Sequence, residues 1–210
     1  MGSVYPTAQH EFAAEAISRF FSKIRIVNAV ILSGSCARGD AVPDSCLDVI
    51  ILVSEGVLSK EYANMDRLWI EFYDSEVFKA LLQVGRYSHV DLEFIDGCFA
   101  PKPRDWTSGP DGFELEIGNT LVYSVPLWER GDRLKLLREM WLPYYGDELR
   151  RERLASVRMY CLNNLDHVPL YVDRGLHFQA FKRLYDAFRE FLQELFISRR
   201  KPYSGVAYTL

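Results

Sequence analysis

The chain has 210 residues, 49% of them hydrophobic and 14% aromatic, so it can bury a sizeable core in one large domain or two small ones and is too apolar for disorder. Its formal net charge of −4 speaks against a broad nucleic-acid surface, which wants a basic face, and suits a small or cationic partner. No apolar run nears the ~18 residues of a membrane span, and the start shows no basic-then-apolar signal.

Residues 7–23 place Phe12, Ala16, Ile17, Phe20 and Phe21 at helical spacing, with Thr7 as N-cap after Pro6. The segment 26–33, IVNAVILS, reads as a strand, and 47–53, LDVIILV, as its neighbour across a loop over 34–45. A loop around 55–64 precedes a predicted helix over 66–84. HVDLEFI, 89–95, alternates as a half-buried strand. Val90, Leu92 and Phe94 then face the core, while His89, Asp91 and Glu93 share the other face, because strand side chains repeat every two residues. A Pro/Gly loop over 101–112 leads to a predicted hairpin over 113–124, with Gly118 and Asn119 at its turn. From Pro126 onward, three amphipathic stretches predict helices. The expected organisation is a mixed α/β domain over 1–125 followed by an all-helical domain over 126–210, which ends in a basic, aromatic stretch over 197–210, its basic part around 199–201.

Cys36, Cys46, Cys98 and Cys161 have neither CxxC spacing nor a neighbouring His that would complete a zinc set. A reducing, cytoplasmic setting with free thiols is therefore expected. The four histidines, His10, His89, His167 and His177, are scattered and read as surface or core side chains. The chemistry concentrates elsewhere. Gly34 and Ser35 follow the first strand, and Ala37, Arg38 and Gly39 come next. Small residues let backbone N–H groups approach a phosphate, a hydroxyl can donate to its oxygens, and an Arg can neutralise it. Asp48 opens an otherwise apolar strand, and Asp91 lies in a second strand of the same character. If the strands are neighbours, both carboxylates can point to one side of one sheet. Such a pair is costly unless a cation holds it.

This pattern resembles the signature of the DNA polymerase β-like nucleotidyltransferases, in their small-molecule and antibiotic-type branch. Gly34 and Ser35 match its opening pair, ARGDAVPDS its loop, Asp48 the second acid of an Asp-x-Asp pair, and Asp91 the third acid. The helical remainder is more loosely similar to helical domains attached to such enzymes. The resemblance implies an α/β, or α+β, mixed sheet with flanking helices, followed by a helical domain. It also implies transfer of a nucleoside monophosphate from an NTP to an acceptor hydroxyl with two Mg²⁺ ions. Gly34, Ser35 and Arg38 would hold phosphates. Asp48 would bridge the metals, and Asp91 would bind the catalytic metal or take the acceptor's proton. Lys182, Arg183 and Tyr185 are candidates to reach the nucleotide from the helical half, which would close the cleft.

One position departs from the pattern: Cys46 stands where the first acid is expected. Mg²⁺ is a hard cation and a thiolate a soft ligand, so Cys46 is a poor substitute. Either Asp44 or Asp40 reaches in, or activity is weakened or lost, or the residue is a deliberate change that traps a complex. The competing readings are a catalytically impaired nucleotide-binding relative, an RNA-modifying transferase using the basic end, and an interaction domain in which the acids are only structural.

Overall fold

The structure, a computed structural model, describes residues 5–100, 117–142 and 146–199. The chain divides into two compact units, Met1–Cys98 with Asn119–Met140, and Phe99–Gly118 with Trp141–Leu210. Within the first unit, α1 (Ala8–Phe21) is capped by the Thr7 side chain, which accepts from the His10 N–H. Next come β1 (Val27–Leu32), the short α2 (Gly34–Arg38) and β2 (Leu47–Val53). Helices α3 (Leu58–Tyr73) and α4 (Glu76–Leu82) lead to β3 (Val90–Ile95). After the π-helical turn Ile117–Val122 come β4 (Val125–Glu129) and α5 (Arg133–Trp141).

The described strands form one mixed sheet in the order β3-β2-β1-β4. β1 runs antiparallel to both β2 and β4, whereas β2 and β3 run parallel. Val30, Leu32, Val49, Ile51 and Phe94 turn to one face, where they meet Ala13, Ala14, Ile17 and Phe21 of α1, Met65 of α3, and Phe78 and Leu81 of α4. The stripe on α1 follows helical spacing, so burying it on the sheet drives that helix into place. Stacked and edge-on rings lock the layer: Phe20 lies flat on Phe72 at 4.1 Å, and Trp69 meets Phe78 at 5.4 Å. Ala29, Ile31, Ile50 and Leu52 alternate onto the opposite face and are also buried.

Three local readings of the sequence change. The helix expected over 66–84 is two helices: α3 begins at Leu58, and the chain breaks at Ser75, whose backbone is extended at φ −77, ψ 158. Asp74 and Ser75 compete with helical hydrogen bonding and favour such a break. The hairpin expected over 113–124 is not formed by its described part. Gly118 and Asn119 lie in the π-helical turn, and Ile117 and Leu121 are both buried at a helical spacing of four. Helix does not begin at Pro126 either, because that residue is the second of β4. As the edge strand of the described sheet, β4 tolerates a residue with no N–H to donate, and the register shifts beside it between Val30 and Ile31. Residues 101–116 and 200–210, which include the Pro/Gly loop and most of the basic end, lie outside the described residues.

The second unit is led by α6 (Asp147–Asp173) and α7 (His177–Ser198). Arg150 donates to the carbonyls of Ile197 and Ser198, Arg158 pairs with Glu194 at 2.6 Å, and Arg183 donates to Asn164. These partners run in opposite senses along the chain, so α6 and α7 are antiparallel. No helix among the described residues is long and apolar enough to cross a membrane.

Candidate metal and nucleotide site

The parallel register of β2 and β3 sets Asp48 directly opposite Asp91. Leu47 and Val49 on either side of Asp48 belong to the apolar layer. Alternation therefore forces the Asp48 carboxylate out of the other face, where Asp91 also emerges. Cys46, two residues before Asp48, lies on the same side. Ligand atoms of Cys46, Asp48 and Asp91 all fall within 4.8 Å of one another, with the first two half-buried and Asp91 exposed. The Cys46 thiol stands 3.6 Å from each oxygen of Asp48 and donates to that carboxylate.

Burial, with Asp91 adding like charge, raises the Asp48 pKa above the usual carboxylate range, opposed by the Cys46 hydrogen bond and the charge of Arg38. Burial and then the charge of Asp48 push the Cys46 thiol up to about 12. It is a neutral S–H at physiological pH.

Gly34 explains why the loop begins as it does. Its φ is +62°, and a Cβ built there would stand 1.9 Å from Oδ2 of Asp48. Only a residue without a side chain lets the backbone pass beneath that carboxylate. Gly34→Ala is accordingly expected to cost about 2 kcal/mol or more, read as a lower Tm, and to abolish divalent-cation binding in calorimetry. An unchanged Tm would mean that the loop has another way past Asp48.

Ser35 follows in the first turn of α2, and its carbonyl accepts from the Asp40 N–H. Arg38 is largely buried, its side chain 19% exposed, and its Nε has no hydrogen-bond partner among the described residues. The nearest acid to it is Asp40, at 3.9 Å. A cation held this way beside an acidic cluster is available to an anionic ligand.

The two loop acids that could have replaced the missing carboxylate are used elsewhere. Asp44 accepts from the Tyr87 N–H at 3.1 Å, and Ser88 donates to the Pro43 carbonyl at 2.7 Å, which ties the 43–45 loop to the entry of β3. Asp40 faces Arg38 rather than the cluster. Among the described residues the cluster thus holds two carboxylates and a thiol.

Lys182, Arg183 and Tyr185 are engaged inside the second unit: with Asp186 at 2.6 Å, with Asn164 at 2.7 Å, and beneath the Arg189 guanidinium. Two histidines, read from the sequence as surface or core side chains, lie near the cluster. His89 Nε2 lies 3.2 Å from Oδ1 of Asp91, and its place on the Asp91 face was visible in the strand alternation. His10 is fully buried; its Nε2 donates to the Ser45 carbonyl at 2.9 Å, next to Cys46, while its Nδ1 meets the Thr7 hydroxyl. No local signal marks that long-range tie.

The mixed sheet thus carries two register-matched acids on adjacent strands, beside the Gly-Ser start of α2. Residues 14–91 match the nucleotidyltransferase domain family, a likeness consistent with the polymerase β-like superfamily. The match supports a transferase in general terms. No curated protein and no solved structure matches the chain.

Domains of this kind generally use divalent metals. Asp48 and Asp91 offer hard oxygen donors suited to one such cation. The donor set does not suit a pair of Mg²⁺ ions, because the third ligand position carries a neutral thiol in place of an oxygen.

Proposed function

We propose that the domain transfers a nucleoside monophosphate from an NTP to a hydroxyl of a small-molecule acceptor. The observation that carries this reading is the register match of Asp48 and Asp91 above Gly34, within a stretch of the nucleotidyltransferase family. A divalent cation bound by the two carboxylates would neutralise charge on the phosphates. Arg38, whose buried Nε lacks a partner, would face the phosphate oxygens, and Gly34 and Ser35 would bring backbone N–H groups close to them. Asp91 is exposed and oriented by His89, so it would accept the proton of the acceptor hydroxyl. That oxygen forms the new bond to the α-phosphorus, the bond from the α-phosphorus to the bridging oxygen breaks, and pyrophosphate leaves. The net charge of −4 favours a neutral or cationic acceptor over nucleic acid.

The test is pyrophosphate release from each NTP with a panel of hydroxyl-bearing acceptors, using the full chain and Asp91→Asn. We expect acceptor-dependent release that drops about 100-fold or more in the variant, the scale of a lost general base. Release that is equal in both proteins would remove Asp91 from the mechanism. A second reading, a nucleotide-binding relative without turnover, is favoured by one observation: the Cys46 thiol occupies the Asp48 carboxylate. NTP binding with no pyrophosphate from any acceptor would select it.

A further inference from the structure

We infer that the Cys46, Asp48 and Asp91 cluster is a site for a single thiophilic divalent cation of the Zn²⁺ type, in place of the Mg²⁺ pair that its position would otherwise take. The inference rests on the proposed reading only in locating the metal centre of transfer at this cluster. The donor set decides the class of ion, because a sulfur ligand suits a borderline-soft cation and not hard Mg²⁺. Tetrahedral Zn²⁺ with Zn–S about 2.3 Å and Zn–O about 2.0 Å puts a sulfur and an oxygen about 3.5 Å apart. The Cys46 sulfur stands 3.6 Å from both oxygens of Asp48, a spacing that one such ion can span. Asp91 supplies the third donor within the same 4.8 Å group.

Three protein ligands leave a fourth position for a phosphate oxygen or water, the arrangement of an open rather than a structural zinc site. His89, at 3.2 Å from Asp91, is the outer partner that orients a ligating carboxylate. Nor does another acid compete for the place of Cys46, since Asp44 is committed to the Tyr87 N–H and Asp40 faces Arg38. Binding replaces the S–H bond with a metal–sulfur bond, and the displaced proton passes to solvent.

Co²⁺ alone, titrated into the 210-residue chain without nucleotide, tests the site, because cobalt reports a thiolate ligand by a charge-transfer band in the near ultraviolet. One equivalent of Co²⁺ should produce the band, Zn²⁺ should displace it, and Mg²⁺ in large excess should not. Cys46→Ser, close in size to the native residue, should lose the band and weaken Zn²⁺ binding about 100-fold. Cys46→Asp should lose the band and gain Mg²⁺ binding by calorimetry. A band that survives in Cys46→Ser would assign the metal to another cysteine and overturn the inference, as would no band at all or displacement by Mg²⁺. The two readings fail separately. A wild-type protein that turns over with Mg²⁺ and shows no cobalt–thiolate band keeps the transfer function and loses the metal inference. A protein with the band but no affinity for any NTP keeps the metal site and loses the transfer function.

Discussion

Cys46→Asp is expected to raise Mg²⁺-dependent pyrophosphate release about 100-fold or more over the unaltered chain, the scale on which single charged groups act at a transfer centre. In the present cluster the thiol is neutral, its pKa pushed up to about 12 by burial and by the Asp48 charge. It donates to the carboxylate that a metal would need. An aspartate there cannot donate in that way when ionised, and it adds a hard oxygen to Asp48 and Asp91. Three carboxylates then share the pocket, so the ligand-free variant should be less stable than the unaltered chain, and Mg²⁺ should restore its Tm. The measurement is initial-rate pyrophosphate release against Mg²⁺ concentration, with Tm recorded at each concentration. Equal and measurable rates for the two proteins would show that the thiol does not limit the reaction, and the second reading of the site would fall with it.

Asp48→Asn is expected to act in two directions at once. Transfer should drop about 1,000-fold, because the residue loses its charge at the centre of the cluster. The ligand-free protein should gain on the order of 1 kcal/mol, or about 2–4 °C in Tm for a chain of this size. The stability gain follows from the pKa of Asp48, which burial raises above its usual value and which Asp91 raises further, against the pull of Arg38 and His89. A carboxyl with a raised folded-state pKa holds its proton to higher pH than the unfolded chain does. Its penalty is absent below the unfolded value near 3.9 and grows as pH rises between the unfolded and folded values. It is fully present once pH exceeds the folded value. The Tm advantage of Asp48→Asn should therefore be largest at neutral pH and should vanish as pH falls below the ordinary carboxylate range. A Tm difference independent of pH would mean that the ionised carboxylate is already compensated. A lower Tm for the variant would mean that Asp48 holds the fold rather than straining it.

Both predictions depend on side chains whose placement was partly legible in the sequence. Alternation in HVDLEFI was enough to put Asp91 on the open side of its strand, because burying one face of a sheet leaves no choice of phase, whereas LDVIILV is apolar on both faces and marks Asp48 only as the one charge in the run. The Gly-Ser pair after the first strand was legible as small residues that let backbone approach a ligand, and the structure adds that Gly34 passes beneath the Asp48 carboxylate. Helix α1 was also plain from its spacing and its Thr7 cap. These are local signals, carried by the period of the chain itself.

What the sequence could not settle is where distant segments meet. Val125–Glu129 looks like the start of a helical region until β1 offers it an edge to pair with. Gly118 and Asn119 suit a hairpin turn until burial of Ile117 and Leu121 selects a helical turn instead. Asp44 was as eligible for the metal cluster as any loop acid, and a hydrogen bond to the Tyr87 N–H removes it. The meeting of Cys46, Asp48 and Asp91 arises from a parallel register between two strands joined through α3 and α4. Sequence alone therefore determined the residue types and the faces they occupy, since these follow from short-range periodicity. Tertiary structure decided the partners, because register and edge pairing are set by packing between segments far apart in the chain.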